Sequence, residues 1–234
     1  MSRGTQNTLL LLVGLSTVLM VIKGTYLHFV KPALLPWLIA AAVVLIALAV
    51  ASIVRDLRHE PAEEDGHRHR AWLVWLLLVP IALTTFVVPP PLGAHGATPA
   101  AVAATEPARR AFPPLPAGRA PTVSIPDVLM RAAADSTNSL GGRLITVTGF
   151  TLRYRDGTDL GRVVIICCAA DAQLARIHLS GPAVAEASGY PEDTWLQLEG
   201  TVVPGTSVAA TNFVPTMAVS RVTRIDKPAN TYAY

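Results

Sequence analysis

Apolar residues in this chain follow two rhythms. Up to Val88 they come in long, almost charge-free runs; beyond Thr122 they come in short runs that alternate or repeat at helical spacing. Leu9 to Ile22 is uncharged but too short to span a bilayer. Extended through Lys23 to Val30, it reaches the length that about 30 Å of hydrocarbon requires. Leu34 to Val54 is a second uncharged run, and Trp72 to Val88, with Pro80 inside it, is a third at the short limit. The pattern therefore predicts about three transmembrane helices, near residues 8–30, 34–54 and 72–88. Trp37, Trp72 and Trp75 fall at segment ends, where aromatic rings favour the interface. No small-x-small cleavage site follows Ile22, so the first run reads as an anchor rather than a signal peptide.

Residues 89–121 are rich in Pro, Ala and Gly and read as a semi-rigid spacer. After it, Ser124-Ile125-Pro126-Asp127 has the form of a helix start with Pro in the first turn. Ile125, Val128, Leu129, Ala132 and Ala133 then repeat at helical spacing. Strands are predicted from Arg143 to Tyr154, Arg162 to Cys168, Leu174 to Leu179, Trp195 to Val203 and Met217 to Ile225. In the first of them the apolar parity switches from Ile145 and Val147 to Phe150, Leu152 and Tyr154, which points to a bulge or sharp coil at Gly149. Five strands and a short helix within 122–234 predict a small all-β domain, an OB-like five-stranded barrel, with a short β-sandwich as the alternative. The prolines and tyrosines of the tail suggest an extended segment packed on that domain.

Charge refines this picture. Hydrophobic residues are 51% of the chain and charged residues only 15%, too few to clothe a water-soluble globule. The formal charge of +3 belongs to the apolar half. Arg55, Arg58, Arg68 and Arg70 crowd residues 55–71, which makes that loop cytoplasmic and places the carboxyl-terminal domain outside the cytoplasm of a multi-pass protein. The β domain is close to neutral and lacks the basic footprint that nucleic acid requires. No G-x-S-x-G, H-E-x-x-H or phosphate-loop motif occurs, so no enzyme is predicted.

Two places carry candidate chemistry. Cys167-Cys168 is one, with Asp171 close in sequence and His178 in the next predicted strand completing a metal site if the register allows. Neighbouring strand residues point to opposite faces, which argues against both thiolates sharing one ion. Burial of one thiol, or a vicinal disulfide outside the cytoplasm, is the competing reading. The second place is the loop holding His59, His67 and His69 with Glu60, Glu63, Glu64 and Asp65, where imidazole and carboxylate suit zinc. A solvated, charge-balanced loop explains the same composition. Lys23 near hydrocarbon reads as a snorkelling side chain.

Gly149-Phe150, Ile166-Cys167-Cys168-Ala169-Ala170-Asp171-Ala172, Trp195-Leu196-Gln197-Leu198-Glu199-Gly200, the tail Lys227 to Tyr234, and the turn Lys23-Gly24-Thr25 with Val30-Lys31-Pro32 form a further pattern. Through these residues the chain resembles the YcgQ-like uncharacterised bacterial membrane proteins. The resemblance implies an accessory subunit of a multi-helix permease in the bacterial cell membrane, with the lipid bilayer and that permease as partners, in settings linked to zinc. With three helices the chain is too small to form a paired-repeat transporter alone. The alternative is an extracytoplasmic thiol- or metal-handling protein that uses the Cys-Cys pair.

Overall fold

The structure is a computed structural model, and it describes residues 3–58, 91–93, 98–99, 108–154 and 157–234. It divides into two units, Met1–Pro91 and Leu92–Tyr234.

Among its described residues the first unit holds two α-helices, α1 (Arg3–Ile22) and α2 (Leu35–Arg58), packed on one another. The expected first span is shorter than residues 8–30. Gly24 takes φ +71, a left-handed setting that ends the helix, and Thr25–His28 continues as a 3-10 turn, so Lys23 lies past the helix end. Among the described residues one helix is long and apolar enough to cross a membrane, Pro32–Arg55 with mean hydropathy 2.8; Gln6–Ile22 is a shorter apolar helix. The predicted third segment, 72–88, lies outside the described residues. Where the helices touch, Gly14 of α1 faces Ala42 and Ile46 of α2. Ala42 and Ala49 are buried, and a Cβ on Gly14 would fall 2.7 Å from Ile46 Cγ1, so the backbones approach closely.

The second unit contains β1 (Thr98–Pro99), α3 (Ile125–Ala134), β2 (Leu144–Tyr154), β3 (Gly157–Val164), β4 (Gln173–Ser180), α4 (Val184–Ser188), β5 (Trp195–Val202), β6 (Thr216–Arg224) and β7 (Tyr232–Ala233). The Ser124 side chain accepts from Asp127 N and caps α3 with Pro126 in its first turn, as the sequence predicts. Strand pairing runs β2–β3–β4–β6–β5 and returns from β5 to β2, antiparallel except for β4–β6.

Two apolar clusters explain the parity switch in β2. Ile145 and Val147 face a core shared with Val128 of α3, Leu160, Ile177, Leu196, Leu198, Met217 and Val219. Phe150 and Leu152 face a second core with Val163, Ile165, Leu174, Trp195 and Tyr232. No bulge occurs at Gly149. The register runs unbroken from Leu144 to Phe150, and β2 changes partner there from β5 to β3. A Cβ at Gly149 would meet the Gly161 carbonyl, Leu160 Cγ at 2.9 Å and Ile125 Cδ1 at 3.0 Å, so glycine lets the strand coil against its neighbours. The register shift lies between β5 and β6 instead. Glu199 pairs with Arg221 and Gly200 with Val219, which leaves Ser220 as the extra residue and turns both Val219 and Val222 into the core.

The expected spacer is revised at its described parts. Leu92 packs on the second core and donates its N–H to Tyr232 Oη at 3.0 Å. Thr98–Pro99 pairs parallel with Gln173–Leu174. Arg110 bridges to Asp135, and Thr122 to Thr146. Proline- and alanine-rich chain in extended form keeps unpaired carbonyls and N–H groups, and these find partners along the edges of the domain. The tail does the same: Tyr232–Ala233 pairs parallel with Val163–Val164 and buries Tyr232 almost completely.

Candidate metal centre

The Cys-Cys pair does not lie in a strand. β3 ends at Val164, and Ile165 to Cys168 turn into the 3-10 segment Ala169–Asp171 before β4 begins. Asp171 makes the turn. Its Oδ1 accepts from Ile166 N at 2.7 Å, and its Oδ2 accepts from Cys167 N at 2.8 Å and Cys168 N at 3.2 Å. Three consecutive N–H groups gathered on one carboxylate curl the backbone and cancel the strand alternation that would have split the thiols. The two sulfurs lie 3.8 Å apart, and Cys167 Sγ donates to Asp171 Oδ2 at 2.9 Å.

Both cysteines are free thiols, Cys167 exposed and Cys168 half-buried. The ligand atoms of Cys167, Cys168 and Asp171 all lie within 4.8 Å of one another. Hydrogen bonding to the Asp171 carboxylate, seconded by Cys168, pushes the Cys167 thiol up to about 11. The same bond from Cys167, with the backbone donors, lowers Asp171 to about 2. Without an ion the site is thus a protonated thiol on a carboxylate. A bound cation would take the place of that proton.

Spacing fits a tetrahedral metal. Two Zn–S bonds of about 2.3 Å at a tetrahedral angle put the sulfurs about 3.8 Å apart, the separation found here. The carboxylate oxygen, 2.9 Å from Cys167 Sγ, needs to withdraw by roughly 0.6 Å to reach the S–O separation of a tetrahedral zinc site. Two soft thiolates and one hard oxygen suit zinc and its thiophilic relatives better than calcium or magnesium.

His178 does not join this group. It pairs in register with Asp159, five positions along the β3–β4 ladder from Val164 and Gln173, or about 17 Å at strand rise. Its Nδ1 bonds Asp159 Oδ1 at 2.8 Å, and Arg176 Nη1 holds Asp159 Oδ2 at 2.6 Å while stacking on Tyr154. The fully buried Asp159 carboxylate fixes both neighbours. His59, His67 and His69 lie outside the described residues.

Sequence reasoning missed two features. One is the Asp159 network, in which a buried carboxylate on β3 gathers Arg176 and His178 from β4. The other is a cleft of about 730 Å³ between the end of α3 and the loop after β5, lined by Arg109, Asn138, Leu140, Ser207 and Phe213 among others. Asn138 and Phe213 both hold positive φ at its wall.

No curated protein and no solved structure matches this chain. Residues 128–234, which run from within α3 through the closing strand β7, match the DUF1980 C-terminal domain, an uncharacterised family.

Proposed function

We infer that this chain is a membrane-anchored metal-handling protein. Its apolar helices hold it in the bacterial cell membrane as a multi-pass accessory subunit beside a permease. Its carboxyl-terminal domain, a closed five-stranded barrel of OB type, presents a site for a thiophilic divalent cation, zinc first, outside the cytoplasm. The observation that carries this reading is the convergence of Cys167, Cys168 and Asp171 on one short turn, with ligand atoms within 4.8 Å. The ring of pairings with a parallel β4–β6 contact and a helix between β4 and β5 supports the OB-type barrel. The apolar helices, the arginines of residues 55–71 and the resemblance to YcgQ-like proteins support the membrane setting.

Thiol exchange is the weaker reading. A redox cysteine works as a thiolate and sits beside positive charge, whereas Cys167 sits on a carboxylate that keeps it protonated. Equilibrium dialysis of the detergent-purified chain against Zn²⁺ tests the proposal. One ion per chain is expected, lost in Cys167→Ser/Cys168→Ser and retained in His178→Ala. Unchanged binding in the double variant overturns it.

A further inference from the structure

We propose that Cys167, Cys168 and Asp171 form an open exchange site. The cation is cargo, held by three protein ligands with one position left to an incoming donor, and is passed on by ligand exchange to a partner offering a neutral imidazole. The inference rests on the metal-handling reading and adds what the ion does there.

Three observations carry it. All the donors come from five consecutive residues of one turn, so the ion cross-links no distant elements and has little fold to stabilise. The turn is already built without an ion. Asp171 takes three backbone N–H groups, and the stems are strands β3 and β4 with Ile165 and Leu174 buried at the junctions. The donors also lie at the surface, and among the described residues no fourth Cys, His, Asp or Glu ligand atom joins them. Structural zinc sites close all four positions with protein ligands, whereas three-ligand sites keep one for water or an incoming group.

Charge selects the fourth ligand. Two thiolates and a carboxylate bring three negative charges to a doubly positive ion, so the complex carries one negative charge in excess. A neutral imidazole or water adds nothing to that excess; a third thiolate would increase it. Asp171 is the ligand placed to leave first, because its oxygens already have three N–H groups to return to. As an incoming imidazole nitrogen bonds the ion, the bond to the Asp171 oxygen breaks. The two thiolates follow as further donors arrive, each taking a proton from water, with no change of oxidation state.

The test uses the detergent-purified full chain loaded with Co²⁺, whose visible bands report the ligand set. Free imidazole should shift those bands, and an acceptor peptide carrying histidines should draw the cobalt off while the protein stays folded. Loading should move the unfolding midpoint of the β domain very little. In Asp171→Asn the thiolate-to-cobalt band should persist, with release about tenfold faster or more. Bands that ignore imidazole, release only on unfolding, or a large rise in the midpoint would mark a closed structural site and overturn the exchange proposal while leaving metal capture standing. Equal cobalt binding by wild type and Cys167→Ser/Cys168→Ser would remove the metal site itself, and both readings with it.

Discussion

The two units solve the placement of apolar side chains in opposite ways. In the helical pair the fully buried apolar residues are small while many large ones point outward: Ala42 and Ala49 are buried, while Val43, Val44, Leu48 and Trp37 are at least half exposed. In the β domain, Ile145, Val147, Ile177, Leu196, Leu198 and Met217 are sealed inside. A water-facing surface like that of the helices would be unstable as a monomer, whereas in hydrocarbon it needs no cover, and close backbone approach then supplies the helix contact. The same residue types are thus displayed in one unit and hidden in the other.

Paired substitutions test that contrast most directly. Leu198→Ala in the closed core should cost about 2–5 kcal/mol, while Val44→Ala on the open face of α2 should stay within about 0.5 kcal/mol. Both are read by denaturant unfolding of the purified chain in detergent, and equal losses would erase the distinction. Gly14→Leu attacks the helical unit at its tightest point and should loosen the α1–α2 pair by about 1–3 kcal/mol through overcrowding against Ile46. A thermal shift in detergent that matches wild type would show that the helices do not depend on that contact.

Chemistry at the turn gives smaller, sharper effects. In a Cys168→Ser background, Asp171→Asn removes the charged acceptor that holds the Cys167 proton. Its thiol should then titrate lower than about 11 and alkylate faster at pH 8, about tenfold for each unit regained. An unchanged iodoacetamide rate would separate Cys167 from Asp171 in solution. Acid should act last. The Asp171 carboxylate is lowered from 3.8 to about 2, so the folded state binds fewer protons than the unfolded one. Its contribution is complete above about pH 4 and fades as pH falls through about 2. Asp135, against some desolvation, is held lower still by Ser139 and Thr137 and acts in the same direction. Near-UV circular dichroism should therefore show no loss from these groups between pH 8 and 4.

Much of the β domain was legible in the sequence because local chemistry and tertiary packing agree there. The Ser124 cap, four of the five long strands and the short helix α3 follow from side-chain spacing alone; the second strand, expected from Arg162 to Cys168, runs instead from Gly157 to Val164. The bulge was misplaced because parity reports which face is apolar and not why. A strand with two cores on opposite faces at its two ends imitates a register shift, whereas the real shift at Ser220 hides in a run that alternates acceptably either way. The metal centre was half legible. Cys167, Cys168 and Asp171 were named, yet reading the run as a strand set the thiols apart, because nothing in the spacing shows a carboxylate gathering three N–H groups. His178 was assigned by strand proximity, which gives adjacency but not position along the ladder.

The extra strands β1 and β7 have a mechanical consequence. The first lies beside Gln173–Leu174 and the second beside Val163–Val164, so both stems of the cysteine turn are splinted from outside. A pull arriving along the chain from the helices meets Leu92 on Tyr232 first, then the two-residue ladder at Thr98, then the bridges at Arg110 and Thr122. These anchors stand in series ahead of β2. Tension must peel them one after another before it can deform the five-stranded sheet, so the turn is shielded from force that enters along the preceding chain.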